Sequence, residues 1–171
     1  MGAYVLSWLM SMTSKILSPE LVKAVVDGYE LSINGVHGPS HWFRVRENGL
    51  FIANENGANA RVVQLFSLFH DSKRENDGHD PLHGARGAAF AIRLRAKGLF
   101  EVTDLEMESL VFACTNHTQG WTAAPLTVAT CWDGDRLDLG RVGYVPDPKR
   151  LCTDVGRRPE VIEWAYGRSL G

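Results

Sequence analysis

The chain has only three cysteines, Cys114, Cys131 and Cys152, and no CxxC pair. An odd, scattered set argues against a disulfide framework or a zinc knuckle and fits a reducing cytosol. A basic surplus is also missing: 18 Lys and Arg stand against 20 Asp and Glu, for a net charge of −2. Bulk nucleic-acid binding draws on excess cations and is disfavoured, although a local basic patch remains open. No long apolar run is uninterrupted. The opening MGAYVLSWLMSMTSKILSPE is broken by Ser and Thr, and its first cation is Lys15. It therefore fits neither a signal peptide nor a membrane span. Repeats, low-complexity tracts and linkers are lacking as well. We expect a cytoplasmic protein with no membrane partner, in which residues 1–17 form a helix or arm on one domain, 18–171.

What is present suits a folded core. Hydrophobic residues make up 44% of the 171 positions and charged residues 22%, which are globular values. Period-two alternation is nearly absent, so the expected fold is all-α, a single helical bundle. Ser18-Pro19 reads as an N-cap followed by a first-turn proline, opening a helix to about Asp27. Further helices are expected over about 41–54, 58–73 and 80–97, the last with Asp80 as N-cap before Pro81. Thr103 and Glu106 spell a capping box for the next. The last two are expected over 123–138 and 159–168. In the third, Val62, Leu65, Phe66 and Phe69 mark one buried face.

The segment FHDSKRENDGHDPLHGARGA, residues 69–88, gathers His70, His79 and His83 with Asp71, Asp77, Asp80, Lys73, Arg74 and Arg86. Polar groups also continue apolar stripes elsewhere. The stripe Met107, Leu110, Val111, Cys114 leads to His117, and Val128, Cys131, Trp132 leads to Asp135. A core-facing carboxylate is costly unless paired or bound to metal. Taken alone, His117 suits a satisfied core histidine, and Asp135 suits an ion pair or a helix end. Together with His41, His70-Asp71 and His83 they all fall near helix ends, which an antiparallel bundle can bring together. Imidazoles and carboxylates suit Mn, Fe, Co, Zn or Mg.

His41 in SHWFRV, the doublet His70-Asp71 in FSLFHD, and Asp135 in DGDRLDLGR resemble the HD-domain superfamily of metal-dependent phosphohydrolases. The resemblance spans residues 36–145. It implies that His41, His70, Asp71 and Asp135 hold one divalent ion, with Asp133 a weaker choice than Asp135. His83 in PLHGARGA and His117 in CTNHTQ look like the added histidines of members that bind a second ion. His37 and His79 match no family role and read as loop histidines. The chain departs from the pattern at Arg74, where many nucleotidase-like relatives have Glu. Lys73 resembles a lysine of the cyclic-dinucleotide phosphodiesterases, but their Gly-Tyr-Pro segment is absent.

The resemblance implies a phosphohydrolase acting on a nucleotide or another small phosphate ester, through a water made acidic by the metal. Lys73 and Arg74 are candidates to neutralise developing charge, and Arg86 is a candidate to bind the substrate. Glu75, Asp77 or Asp80 could move a proton, although Asp80 also suits a helix cap and Asp77-Gly78 a turn. Two other expectations stand beside this one: a di-iron oxygenase on the same fold, and a non-catalytic sensor that kept the metal site. A homo-oligomer is left open.

Overall fold

Local signals start most of the helices. The structure, a computed structural model, describes residues 12–170. Ser18 accepts a hydrogen bond from the Leu21 N–H and Pro19 follows, opening α1 (Pro19–Asp27). Gly38 and Pro39 open α2 (Pro39–Asn56). Asn59 accepts from the N–H groups of Arg61 and Val62 and starts α3 (Ala60–Phe69). The remaining helices are α4 (His83–Ala96), α5 (Asp104–Asn116), α6 (Leu126–Arg136) and α7 (Pro159–Ser169). Two 3-10 turns, Leu139–Val142 and Pro148–Arg150, link α6 to α7. The described residues contain no strand, so the fold is the expected all-α one. The Thr103–Glu106 capping box is present at α5.

Several boundaries shift by a few residues, and the two beside the His70-Asp71 doublet shift for local reasons. α3 stops at Phe69 rather than running to Lys73, because the chain tightens into turns. Ser72 N–H bonds the Phe69 carbonyl at 3.2 Å, and Arg74 N–H bonds that of Asp71 at 3.3 Å. α4 starts at His83 rather than at Asp80. The Asp80 carboxylate does not cap it; it accepts from the Glu75 N–H at 2.9 Å and from Arg86 at 2.5 Å, closing the 75–80 loop.

The buried face of α3 is as expected: Val62, Leu65, Phe66 and Phe69 are all inaccessible or nearly so. Burying such a side chain stabilises the fold by about 1.5–3 kcal/mol. α3 lies at the centre, with α2, α5 and α6 against it, and α4 packs on α5. Most of the expected N-terminal arm lies outside the described residues; within them, Met12 and Leu17 are buried in the core. A second apolar cluster, including Ile52, Leu137, Leu151 and Ile162, fixes α7 to the far side of α2.

Two glycines set how closely α4 can approach. A Cβ at Gly84 would collide with the Cys114 carbonyl of α5, and one at Gly87 with the Phe69 carbonyl of α3. Backbone-to-backbone contact at these points brings His83, the first residue of α4, against the ends of α3 and α5.

Candidate metal centre

Five helix ends converge. His41 comes from the first turn of α2, His70 from the C-cap of α3 with Asp71 after it, and His83 from the start of α4. His117 is the C-cap of α5, and Asp135 lies in the last turn of α6. His41 and His70 are 0% exposed, and Asp71 is 2% exposed. The structure thus brings together all six of the sequence-derived ligand candidates.

They form two clusters that share Asp71. In the first, His41 Nε2 and His70 Nε2 are 3.0 Å apart. Asp71 Oδ2 lies 3.6 Å from His41 Nε2, and Asp135 Oδ1 lies 3.4 Å from it. In the second, His83 Nε2 and His117 Nε2 are 2.9 Å apart. Asp71 Oδ1 is 3.0 Å from His83 Nε2 and 3.7 Å from His117 Nε2. Asp71 therefore turns one oxygen towards each pair of histidines.

The other nitrogen of each ring decides what the facing nitrogens can do. His41 Nδ1 meets Asp138 Oδ2 at 2.7 Å. His70 Nδ1 faces the Phe66 and Ser67 carbonyls, both at 3.2 Å. His117 Nδ1 faces the Cys114 carbonyl at 2.7 Å, and His83 Nδ1 faces that of Asp80. All four partners are acceptors, so in the neutral rings the protons sit on Nδ1 and the Nε2 lone pairs point at each other. Facing lone pairs repel unless positive charge lies between them. Two nitrogens each about 2.1 Å from one ion are about 3.0 Å apart at right-angle coordination and about 3.4 Å apart at tetrahedral coordination. The donor set fits a divalent cation at each cluster.

Electrostatics agree. Burial would raise the Asp71 carboxyl, but the imidazoles around it, His70 first and then His117, His37 and His83, hold it well below the usual range. Asp135 is likewise held low against burial, by His41, His70 and Arg141. Burial pushes His70 down to about 3, keeping it neutral. His117 moves the other way: burial opposes protonation, but Asp71 and Asp135 outweigh it and raise His117. The pocket attracts positive charge.

The flanking candidates are placed differently from one another. Arg74 is buried, with Nη1 3.5 Å from Asp71 Oδ1 and 3.1 Å from His83 Nε2. Lys73, expected beside it at an anion, is used elsewhere. Its ammonium donates to the Gly28 carbonyl at the end of α1 and lies 5.0 Å from the Phe90 ring centroid. Arg86, expected to bind substrate, donates to the Lys73 carbonyl at 3.0 Å and to Asp80 at 2.5 Å, so it braces the loop. Glu75 is largely exposed and pairs with Arg86 at 3.4 Å. Asp77 is exposed and borders Gly35. Asp133 points away from the clusters: it accepts from Cys152 N–H and from Thr153 N–H and hydroxyl, at 2.7–2.8 Å, and anchors the chain before α7.

Sequence reasoning missed three partners. Asp138 is 0% exposed and links His41 to Arg44, which donates to both its oxygens at 2.6 and 3.1 Å. Arg141 lies 3.8 Å from Asp138 and 3.9 Å from Asp135. His37 is no idle loop residue; its Nδ1 is 2.8 Å from Asp71 Oδ2. The spacing of Asp135 and Asp138 on one turn was the only available sign of the first two.

No protein-family model matches the sequence, and no curated protein matches it. A solved structure does. It is that of a predicted HD superfamily hydrolase from an uncultured Thermotogales bacterium, at 26% identity and a TM-score of 0.67. The match covers 88% of this chain and 86% of that one. Fold and His/Asp cluster together bear out the resemblance to the HD superfamily. Within the described residues no helix is long and apolar enough to cross a membrane.

Proposed function

We propose that this domain is a metal-dependent hydrolase of small phosphate esters, nucleotides among them. The observation that carries the reading is the pair of facing Nε2 couples, at 3.0 and 2.9 Å, on either side of one ionised carboxylate, Asp71. The similarity to a predicted HD superfamily hydrolase supports the hydrolytic class. His41, His70, Asp71 and Asp135 would hold one ion, and Asp71, His83 and His117 a second. Such ions supply a Lewis acid that acidifies water and draws charge from a phosphoryl oxygen.

The chain's own residues do the rest. Arg74 spends Nε on the Asn76 carbonyl at 3.2 Å and Nη2 on that of Gly78 at 2.8 Å. Its Nη1 is thereby held at the edge of the second cluster, where it can neutralise a phosphoryl oxygen without reorganising. Beside it, a cleft of about 400 Å³ lined by Arg74, His79, His83, Thr118 and Gln119 gives a small polar substrate a way in. Asp77, exposed on the 75–80 loop, is the carboxylate candidate for proton transfer.

Metal analysis of the purified protein, followed by a screen of phosphate esters, tests this. We expect bound divalent metal and hydrolysis of at least one ester, with both lost in Asp71→Ala. Full metal occupancy and normal turnover in Asp71→Ala would overturn the assignment. The six His/Asp donors sharing one carboxylate also suit a di-iron oxygenase. An iron-loaded protein that hydrolyses no ester but consumes O2 with a small organic substrate would replace the hydrolase reading.

A further inference from the structure

Tyr29 follows the C-terminal glycine of α1 and is 8% exposed. Its hydroxyl is buried and has no hydrogen-bond partner. Buried polar atoms are almost always paired, so an orphan needs a reason. The surroundings hold the ring firmly. It packs edge-on against Trp42, with centroids 5.1 Å apart. Trp42 Nε1 in turn donates to the His37 carbonyl at 2.9 Å, and His37 Nδ1 is the group 2.8 Å from Asp71 Oδ2. Lys73 grips the Gly28 carbonyl next to Tyr29 in sequence. A cation beside the HD doublet thus fixes the position of the tyrosine rather than reaching the site itself.

The groups felt by the phenol belong to the site. Burial raises its pKa most, Asp71 and Asp77 raise it further, and Arg74 opposes them. The hydroxyl therefore keeps its proton and is available as a donor. Asp71 and Asp77 do not accept that proton. An acceptor oxygen of a ligand held beside Asp71 and Arg74 would.

We propose that the Tyr29 hydroxyl donates a hydrogen bond to a non-bridging oxygen of the bound phosphate group, making Tyr29 a catalytic residue that acts together with Arg74. This rests on the phosphate-ester reading above. It explains why a buried donor is held unpaired by so many neighbours: its partner arrives with the substrate.

Tyr29→Phe removes the oxygen and keeps the ring on Trp42. In the metal-free protein we expect a melting temperature equal to or above that of the wild type, because an unpaired buried hydroxyl is lost. The metal-to-protein ratio should not change. Inorganic phosphate, titrated calorimetrically into the Mn-loaded protein, should bind roughly tenfold to a hundredfold more weakly, the usual cost of a hydrogen bond to a charged group. Turnover of a responsive ester should fall mainly in kcat. Wild-type phosphate affinity in Tyr29→Phe would overturn the role while leaving the hydrolase reading intact. A parallel loss of stability and metal would overturn it too, by showing that the hydroxyl serves the fold. If the Mn-loaded wild type binds no phosphate at all, this proposal and the phosphate reading fall together.

Discussion

His41 Nδ1 lies 2.7 Å from Asp138 Oδ2, and both side chains are fully buried. The contact fixes the imidazole with its proton on Nδ1 and its lone pair on Nε2, facing His70. Carboxylates behind a metal-binding histidine set tautomer and orientation in this way, and losing one typically costs tenfold to a hundredfold in metal affinity. Asp138→Asn is expected to do so here. Arg44 donates to both oxygens of Asp138, so an amide nitrogen at either place confronts a donor or turns towards His41. Nitrogen-15 NMR of the histidines should show the His41 proton moving to Nε2 in the variant. An unchanged tautomer with unchanged metal affinity would reject this role.

His83 and His117 separate one ion from two. Their Nε2 atoms, with Asp71 Oδ1, make the second cluster. If that cluster binds metal, His83→Ala or His117→Ala should lower the metal-to-protein ratio by about one ion, with the first cluster still filled. Wild-type stoichiometry in both variants would return the pair to a structural role.

The sequence made part of this site legible. His117 and Asp135 stood out because they continue apolar stripes, and His41, His70 and Asp71 because their flanking segments resemble a known pattern. Helix ends were visible wherever a cap lay beside the helix, as at Ser18 and Thr103. Contacts between distant residues were not. Asp138 meets His41 across 97 positions, and only its spacing of one turn from Asp135 marks it locally. His37 looked like a loop residue because its role depends on where Asp71 sits. Lys73 misled in the opposite way: closeness in sequence to the doublet suggested the site, whereas Phe90 and the Gly28 carbonyl decide where its ammonium lies. Asp80 had the neighbours of a helix cap and became a loop brace once Arg86 reached it.

Lys73 and Arg74 should therefore part company on substitution. Lys73→Ala removes a charged hydrogen bond and a cation–π contact, and is expected to cost about 1–3 kcal/mol of stability. Arg74→Ala should leave metal content intact and lower kcat roughly tenfold to a thousandfold, as for loss of an electrostatic stabiliser. Denaturant melts and steady-state kinetics on both variants check this. A normal kcat in Arg74→Ala would remove the guanidinium from the chemistry.

The metal-free protein should weaken in acid, and His70 should carry much of the slope. Burial pushes its pKa down to about 3 in the folded state, against about 6.5 in an unfolded chain. Between those values the unfolded state takes up a proton that the folded state refuses. His70 thus contributes stability above pH 6.5, and the contribution is lost as pH falls, by up to about 1.4 kcal/mol per pH unit. Asp71 and Asp135, both held low, add losses in stronger acid as pH drops below the ordinary carboxylate value. His117 has the opposite sign: its pKa is raised, so its contribution is complete below pH 6.5 and fades as pH rises through the folded value. Denaturant unfolding of chelator-treated protein should show falling stability from pH 6.5 to pH 4.5. His70→Gln, though less stable at neutral pH, should show a shallower fall. An equally steep fall in that variant would mean that His70 is not the group refusing the proton.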